Sequence, residues 1–257
     1  LRTKRLKISN INGKLQLFLD GDLYKDSSLS QRDQISIQSK KSKGIWLGKR
    51  RYRGKLKVRF GSQSLYVINH LGLETYLQSV VAGEMPKDWP LPALKAQAVA
   101  ARTYALKQRI KQQKKNSWFD IKSSEASQIY LGIEAETDKT SKAVKLTKSL
   151  VMKHNGRLID AVFHSSSGGR TENSGQVWRY QLPYLKSVVD YDEKSTKYRW
   201  LNKFNSEELD QIFPDLGGLN SIQITKISNS DRVLKIRLHG PNGIAIISGK
   251  SLRTKLQ

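Results

Sequence analysis

The chain has no cysteine, only two methionines and four histidines among 257 residues. The missing cysteine excludes a disulfide framework and thiolate metal ligation, but does not exclude an oxidising compartment. Acidic residues are also scarce. Asp and Glu total 22 against 46 Lys and Arg, giving a net charge of +24. Such an imbalance speaks of partners rather than fold, and the matching partners are acidic polymers: nucleic acid, an anionic membrane surface or a carboxylate-bearing cell-wall glycan. No apolar run approaches the roughly 18 residues of a membrane span. Phosphate-binding patterns (G-x-x-x-x-G-K-[ST], G-x-G-x-x-G) and the zinc pattern H-E-x-x-H are absent. With His70, His154, His164 and His239 dispersed, no metal site and no cofactor are expected. His164 followed by Ser165, Ser166 and Ser167 invites a serine-nucleophile reading, yet neither G-x-S-x-G nor S-x-x-K occurs.

What is present suffices for a folded protein. A hydrophobic content of 37% with five tryptophans argues against disorder, and 257 residues can bury a substantial core. The most structured stretch runs from Leu73 to Ile110. Leu73, Leu77, Val80 and Val81 form a helical stripe, with Gly83 as the expected stop. Pro86, Pro90 and Pro92 hold the chain out of helix until a second one begins, with Pro92 in its first turn. Ala93, Ala96, Ala100, Ala101 and Ala105 favour that helix and allow close approach by a neighbour.

Strands dominate on either side. Asn12-Gly13 and Asp20-Gly21 predict tight turns between short alternating segments, and Gln34–Gln38 continues the pattern. The basic run from Lys40 to Arg53, broken by Gly44 and Gly48, reads as strand edges and loops, with strands over Leu56–Phe60 and Leu65–Asn69. Further on come a strand at Asp120–Lys122, a helix over Asp138–Lys148, and a hairpin turning at Asn155-Gly156 whose second strand reaches His164. A helix starts at Ser206, and strands cover Ser221–Ile227, Val233–Leu238 and Ile244–Ile247. The expected fold is mixed α+β, mostly antiparallel, around a central helix-loop-helix. A β-rich N-terminal segment (1–50) precedes it, and the C-terminal part is again β-rich.

Glu84 stands at the junction of the two helices, beside Met85 and Trp89, where a carboxyl group has reason to change its pKa. It suits a general acid/base; alternatively it caps the second helix or pairs with a surface lysine. Ordinary glycoside hydrolysis uses two carboxylates, and Asp88 is the only other acid in the loop. Arg102, about ten residues into the second helix and so roughly 15 Å along it, suits either an anionic or hydroxyl-rich ligand or a structural salt bridge. Basic residues are spread along the whole chain, which fits a solvated cationic surface better than a nucleic-acid groove.

Several blocks, in order, resemble the stage II sporulation protein D/amidase enhancer (SpoIID/LytB) family: Y-R-G-K-L-K-V from Tyr52, V-V-A-G-E-M-P-K-D-W-P-L-P-A-L-K-A-Q-A-V-A-A-R-T-Y-A, S-Q-I-Y-L-G, F-H-S-S-S-G-G-R-T-E, and V-W followed by L-P-Y-L-K-S-V. The resemblance implies one SpoIID/LytB-like domain over 51–257. It also implies a peptidoglycan lytic transglycosylase cleaving the MurNAc–GlcNAc bond, with Glu84 as general acid/base. Arg102, Gln128, His164, Ser165, Ser167 and Tyr184 would line the substrate. The sugar's own 6-hydroxyl would attack the anomeric centre, so one carboxyl group would suffice. The zinc site that some members build from cysteines has no ligands here. The alternative implied is a non-catalytic wall-binding enhancer of a cell-wall amidase. Either role places the chain at the cell envelope, periplasmic or extracellular, and a start at Leu1 is compatible with a removed leader.

Overall fold

The computed structural model describes residues 4–11, 14–27, 34–39, 43–60 and 64–256. Contacts divide the chain into two compact units, 1–162 and 163–257, and the β-rich stretch 1–50 falls within the first.

In the first unit, β1 (Leu6–Ile11), β2 (Lys14–Leu19) and β3 (Asp22–Ser27) form an antiparallel meander. Asn12-Gly13, the expected first turn, lies outside the described residues. Asp20 and Gly21 both have positive φ, 54° and 115°, as their tight turn demands. β4 (Gln34–Gln38) belongs to a second sheet. The short pair β5 (Ile45–Leu47) and β6 (Arg50–Tyr52) intervenes before β7 (Lys55–Phe60) and β8 (Leu65–His70) complete that sheet in the order β4-β7-β8. Strand β7 alternates half-buried and buried positions. Its Val58 and Phe60 pack with Ile8, Ile35 and Ile37, the period-two signature of a one-faced strand.

Helices α1 (Leu73–Glu84) and α2 (Leu91–Gln113) follow, with Pro92 in the first turn of α2 as expected. The chain between them turns tightly, the Trp89 amide donating to the Pro86 carbonyl. Helix α3 (Asp138–Leu146) starts at Thr137, whose hydroxyl and that of Thr140 cap each other's backbone amides. Leu77, Val80 and Val81 of α1, Leu94, Ala98 and Ala101 of α2, and Ala143 and Val144 of α3 make one buried core with Tyr130. The small alanines admit α1 and α3 close to the α2 backbone, as the composition predicts. A small ladder, β9 (Lys153–His154) and β10 (Arg157–Leu158), turns through Asn155-Gly156.

Three sequence expectations are corrected in this unit. Helix α1 does not stop at Gly83 but runs on to Glu84, so the glycine serves another purpose. A Cβ placed on Gly83 would stand 2.7 Å from the carbonyl oxygen of Ile129 and 3.1 Å from its Cγ2. Gly83 is therefore a close-approach glycine, and Ile129 occupies the space a side chain would need. Residues 120–122 are irregular, because no strand among the described residues pairs with them. The second hairpin strand ends at Leu158 rather than His164, its partner strand being only two residues long.

The Gly83 contact gives a prediction of unusual sign. Gly→Ala within a helix ordinarily stabilises by roughly 0.5–1 kcal/mol. Gly83→Ala is expected to destabilise instead, by about 1–3 kcal/mol, because the clash is with backbone that cannot rotate away. Urea denaturation of the two proteins decides it; equal or higher stability of the variant would show that Ile129 does not hold this position.

The second unit opens with loops and the short helix α4 (Ser174–Val177), then α5 (Ser206–Ile212). The N-cap of α5 is Asn205, in a reciprocal capping box with Glu208, one residue before the expected start. Strands β11 (Ser221–Ile227), β12 (Val233–Gly240) and β13 (Gly243–Ser248) form an antiparallel meander, followed by α6 (Gly249–Lys255). Ile236 and Leu238 of the central strand pack against Phe213 and Leu216, with Leu252 and Leu256 at the margin. The α+β class is as expected.

Candidate active site

The segment Gln128–Leu131 has no helix or sheet ladder to satisfy its backbone, and its amides find partners on α1 instead. The Ile129 amide donates to Glu84 Oε1 at 2.5 Å, and the Leu131 amide to Ser79 Oγ at 3.2 Å. Between them the Tyr130 ring packs against Tyr76 and Tyr52, at centroid separations of 5.1 and 5.7 Å. Its hydroxyl donates to Asn69 Oδ1 at 2.8 Å. Gln128 is fully buried: its Oε1 accepts from the Tyr76 hydroxyl at 3.1 Å and its Nε2 donates to the Ala101 carbonyl at 3.3 Å. Gly83 is what lets this segment lie so close to α1.

Among the described residues Glu84 is therefore neither a helix cap nor a lysine partner. One carboxylate oxygen is fixed by Ile129, and the other accepts no hydrogen bond among the described residues. Burial pushes its pKa up, outweighing the Ile129 amide that favours the charged form; the charge of Glu125 pushes the same way. Glu84 is also the last residue of α1, where the helix dipole disfavours an anion and no basic residue offsets it. Trp89, expected to help shield it, is 47% exposed. The result is a half-buried carboxyl group held at one oxygen and available at the other, with its proton retained to higher pH than usual. That is the state a general acid needs. Glu125, exposed on the loop before Ser127, is a carboxylate that sequence spacing did not bring to Glu84, because 41 positions and a whole helix separate them.

Arg102 and Gln128 differ from their expected place against a substrate. Arg102 is 1% exposed and its five N–H donors are all engaged. Nε and Nη2 grip the Glu74 carboxylate at 2.8 Å each, Nη1 donates to the carbonyls of Leu150 and Ala98, and Nη2 to that of Val144. It is the structural salt bridge, formed with Glu74 rather than Glu84. Gln128, at 0% exposure, is likewise internal. Neither side chain presents surface to a ligand.

His164, Ser165, Ser167 and Tyr184 belong to the second unit. His164 and Ser165 are exposed, Ser167 is buried and Tyr184 half-buried. The loop they start is shaped by a residue the sequence reading missed. The Asp192 carboxylate accepts from the amides of Ser167, Gly168 and Gly169 and from the Ser166 hydroxyl, at 2.5–3.0 Å. Gly168 and Gly169, at φ 73° and 96°, supply the concave run of N–H groups that surrounds an anion. From the other side Arg232 donates to the carbonyls of Ser167 and Arg170, and Glu172 accepts from the hydroxyls of Ser228 and Ser230. The motif's glutamate thus fastens the loop to the β11–β12 turn. Among the described residues, no three His, Asp or Glu side chains converge on a metal-sized site.

These donors hold the Asp192 carboxyl well below the usual carboxylate range, the Ser166 hydroxyl contributing most. A depressed folded-state pKa means the stabilisation is complete above the unfolded value and is lost as pH falls through the folded one. Asp192→Asn, which turns one acceptor into a donor facing N–H groups, is expected to speed hydrogen exchange at the Gly168 and Gly169 amides at pH 7. Unchanged protection of both amides would show that the carboxylate does not order the loop.

Comparison with known proteins bears on the first unit. The family described as Stage II sporulation protein (SpoIID) matches residues 61–154, which include Glu84, Arg102 and Gln128. Over that stretch the chain belongs to the SpoIID family. Stage II sporulation protein D of Bacillus subtilis is 33% identical over 205 residues, covering 72% of this chain and 56% of that protein. Its counterpart in Bacillus amyloliquefaciens is 32% identical over 211 residues, 75% of this chain and 60% of that protein. The amidase enhancer of Bacillus subtilis is 39% identical over 140 residues, 54% of this chain but only 18% of that protein. The chain therefore spans between 18% and 60% of the length of these SpoIID/LytB relatives. No helix among its described residues is long and apolar enough to cross a membrane.

Proposed function

We propose that this SpoIID/LytB chain is a peptidoglycan lytic transglycosylase that cleaves the MurNAc–GlcNAc bond at the cell envelope. The observation that carries the reading is Glu84, a carboxyl group with a raised pKa and one oxygen that accepts no hydrogen bond among the described residues. Protonated, it delivers its proton to the leaving glycosidic oxygen. As carboxylate, it then takes the proton of the sugar's 6-hydroxyl as that oxygen closes on the anomeric carbon. Atoms balance without added water, so the reaction uses one acid/base group. The net charge of +24 favours residence on an anionic wall polymer.

The test is product analysis on purified glycan strands. 1,6-Anhydro ends in the mass spectrum are expected. Reducing ends would instead point to hydrolysis, with Glu125 as the carboxylate that activates water. A second reading rests on the amidase enhancer among the relatives: a wall-binding partner that stimulates a cell-wall amidase without cutting glycan. It predicts co-sedimentation with insoluble wall, faster amidase turnover, and no glycan products from this chain alone.

A further inference from the structure

One cleft in the first unit is unused by this chemistry. It has a volume of about 470 Å³ and lies between the β4-β7-β8 sheet and the chain that leaves α2, with Lys57, Arg59, His70, Gln113, Asn116 and Trp118 on its walls. Trp118 is 42% exposed, and Tyr66, 43% exposed, meets it edge to face at 5.6 Å. The Arg59 guanidinium lies over the indole at 5.2 Å and is braced by Gln34 Oε1 at 3.2 Å. The ring is therefore fixed on two sides while part of it stays open. The side chains of Lys57, Gln113 and Asn116 make no hydrogen bond among the described residues. Among the described residues no acidic side chain lines the cleft; the charges bearing on His70 are those of Lys57, Lys55 and Arg59, against that of Asp120.

A half-open aromatic ring beside unpaired amides suits a sugar face with its hydroxyl or acetamido groups. Lys57 and Arg59 beside it, neither ion-paired among the described residues, suit a carboxylate. We propose that this cleft is an auxiliary glycan subsite, separate from Glu84, that takes a saccharide unit bearing a carboxylate. Trp118 stacks on the ring, Gln113 and Asn116 bond its polar groups, and Lys57 and Arg59 receive the charge. Helix α1 has 12 residues, roughly 18 Å of length. His70, on the cleft wall, precedes α1 in the chain and Glu84 is the last residue of that helix, so a ligand engaging both would be an oligomer rather than a single saccharide unit. The subsite rests on the glycan reading above and adds to it a preference for long, carboxylate-bearing strands.

The experiment uses the full chain carrying Glu84→Gln, so that strands are bound without being cut. Titrate it calorimetrically with peptide-free muramic-acid glycan oligomers, and with the same oligomers after methyl esterification. The expected result is about tenfold weaker binding of the free acid on adding Trp118→Ala, the loss typical of an aromatic anchor. Lys57→Gln is expected to weaken the free acid but not the ester, and Trp118→Phe to restore part of the affinity. Unchanged affinity in Trp118→Ala and Lys57→Gln, with the parent binding well, would overturn the subsite and leave the glycan reading standing. A parent that binds neither oligomer would overturn both. Lys57→Gln, at a half-buried position whose side chain makes no hydrogen bond among the described residues, keeps the test decisive should Trp118→Ala fold poorly.

Discussion

Glu84→Gln is expected to lower glycan cleavage by about 10²–10⁴-fold, the usual contribution of a positioned proton donor. The substitution is informative because it leaves the local structure a way to persist. The Gln carbonyl oxygen can still accept the Ile129 amide that now donates to Oε1, while the transferable proton is gone. Stability gives a second, independent readout. The Glu84 pKa is raised in the folded state by burial, so between the unfolded and folded values the native protein holds more proton than the unfolded one. Stability from this group therefore falls as pH rises through that window, and above it the carboxylate is a net cost. Gln carries no such cost. At neutral pH the variant is expected to be as stable as the parent or more so, yet inactive. The same shift sets the pH profile: activity that depends on the protonated form declines above the raised pKa. Full cleavage by Glu84→Gln, with 1,6-anhydro products, would refute the assignment. A variant both inactive and unfolded would show that Glu84 is instead a fastening for Ile129.

The parts of the fold written in local chemistry were legible in the sequence. Prolines at 86, 90 and 92 and the alanines of α2 mark the helix pair, and alternating β7 and the glycine-containing turns mark the sheets. What could not be read is the meaning of residues whose partners are distant. Gly83 looks like a helix stop because glycine usually is one; only the docking of Ile129, 46 positions on, reveals close packing. Glu125 and Asp192 carry no periodicity and no spacing rule, yet one raises the candidate acid and the other shapes a loop. In contrast, the place of Glu84 between two helices was legible, although its single fixed oxygen was not.

Arg102 is where the resemblance and the physics pull apart, and the largest structural effect is expected there. Removing one member of a buried, hydrogen-bonded ion pair costs about 3–5 kcal/mol. Arg102 is almost wholly buried, whereas Glu74 keeps 33% of its side chain exposed, so water can partly re-solvate the carboxylate left behind. That places Arg102→Met toward the lower end. The three carbonyls Arg102 also serves, on α2, α3 and the chain at Leu150, lose their donor in the same step. A loss of about 3 kcal/mol corresponds to roughly 6–12 °C in Tm for a chain of this size. Arg102→Lys is expected to fall between parent and Met, since an ammonium cannot span both carboxylate oxygens in the plane Glu74 presents. A substrate-binding arginine would behave differently: a raised KM for glycan with Tm unchanged. Calorimetry with glycan binding on the same three proteins separates the two. A double-mutant cycle with Glu74→Gln then measures the coupling itself, which direct pairing requires to be clearly non-zero. An additive cycle together with unchanged Tm would remove Arg102 from the framework and return it to the substrate.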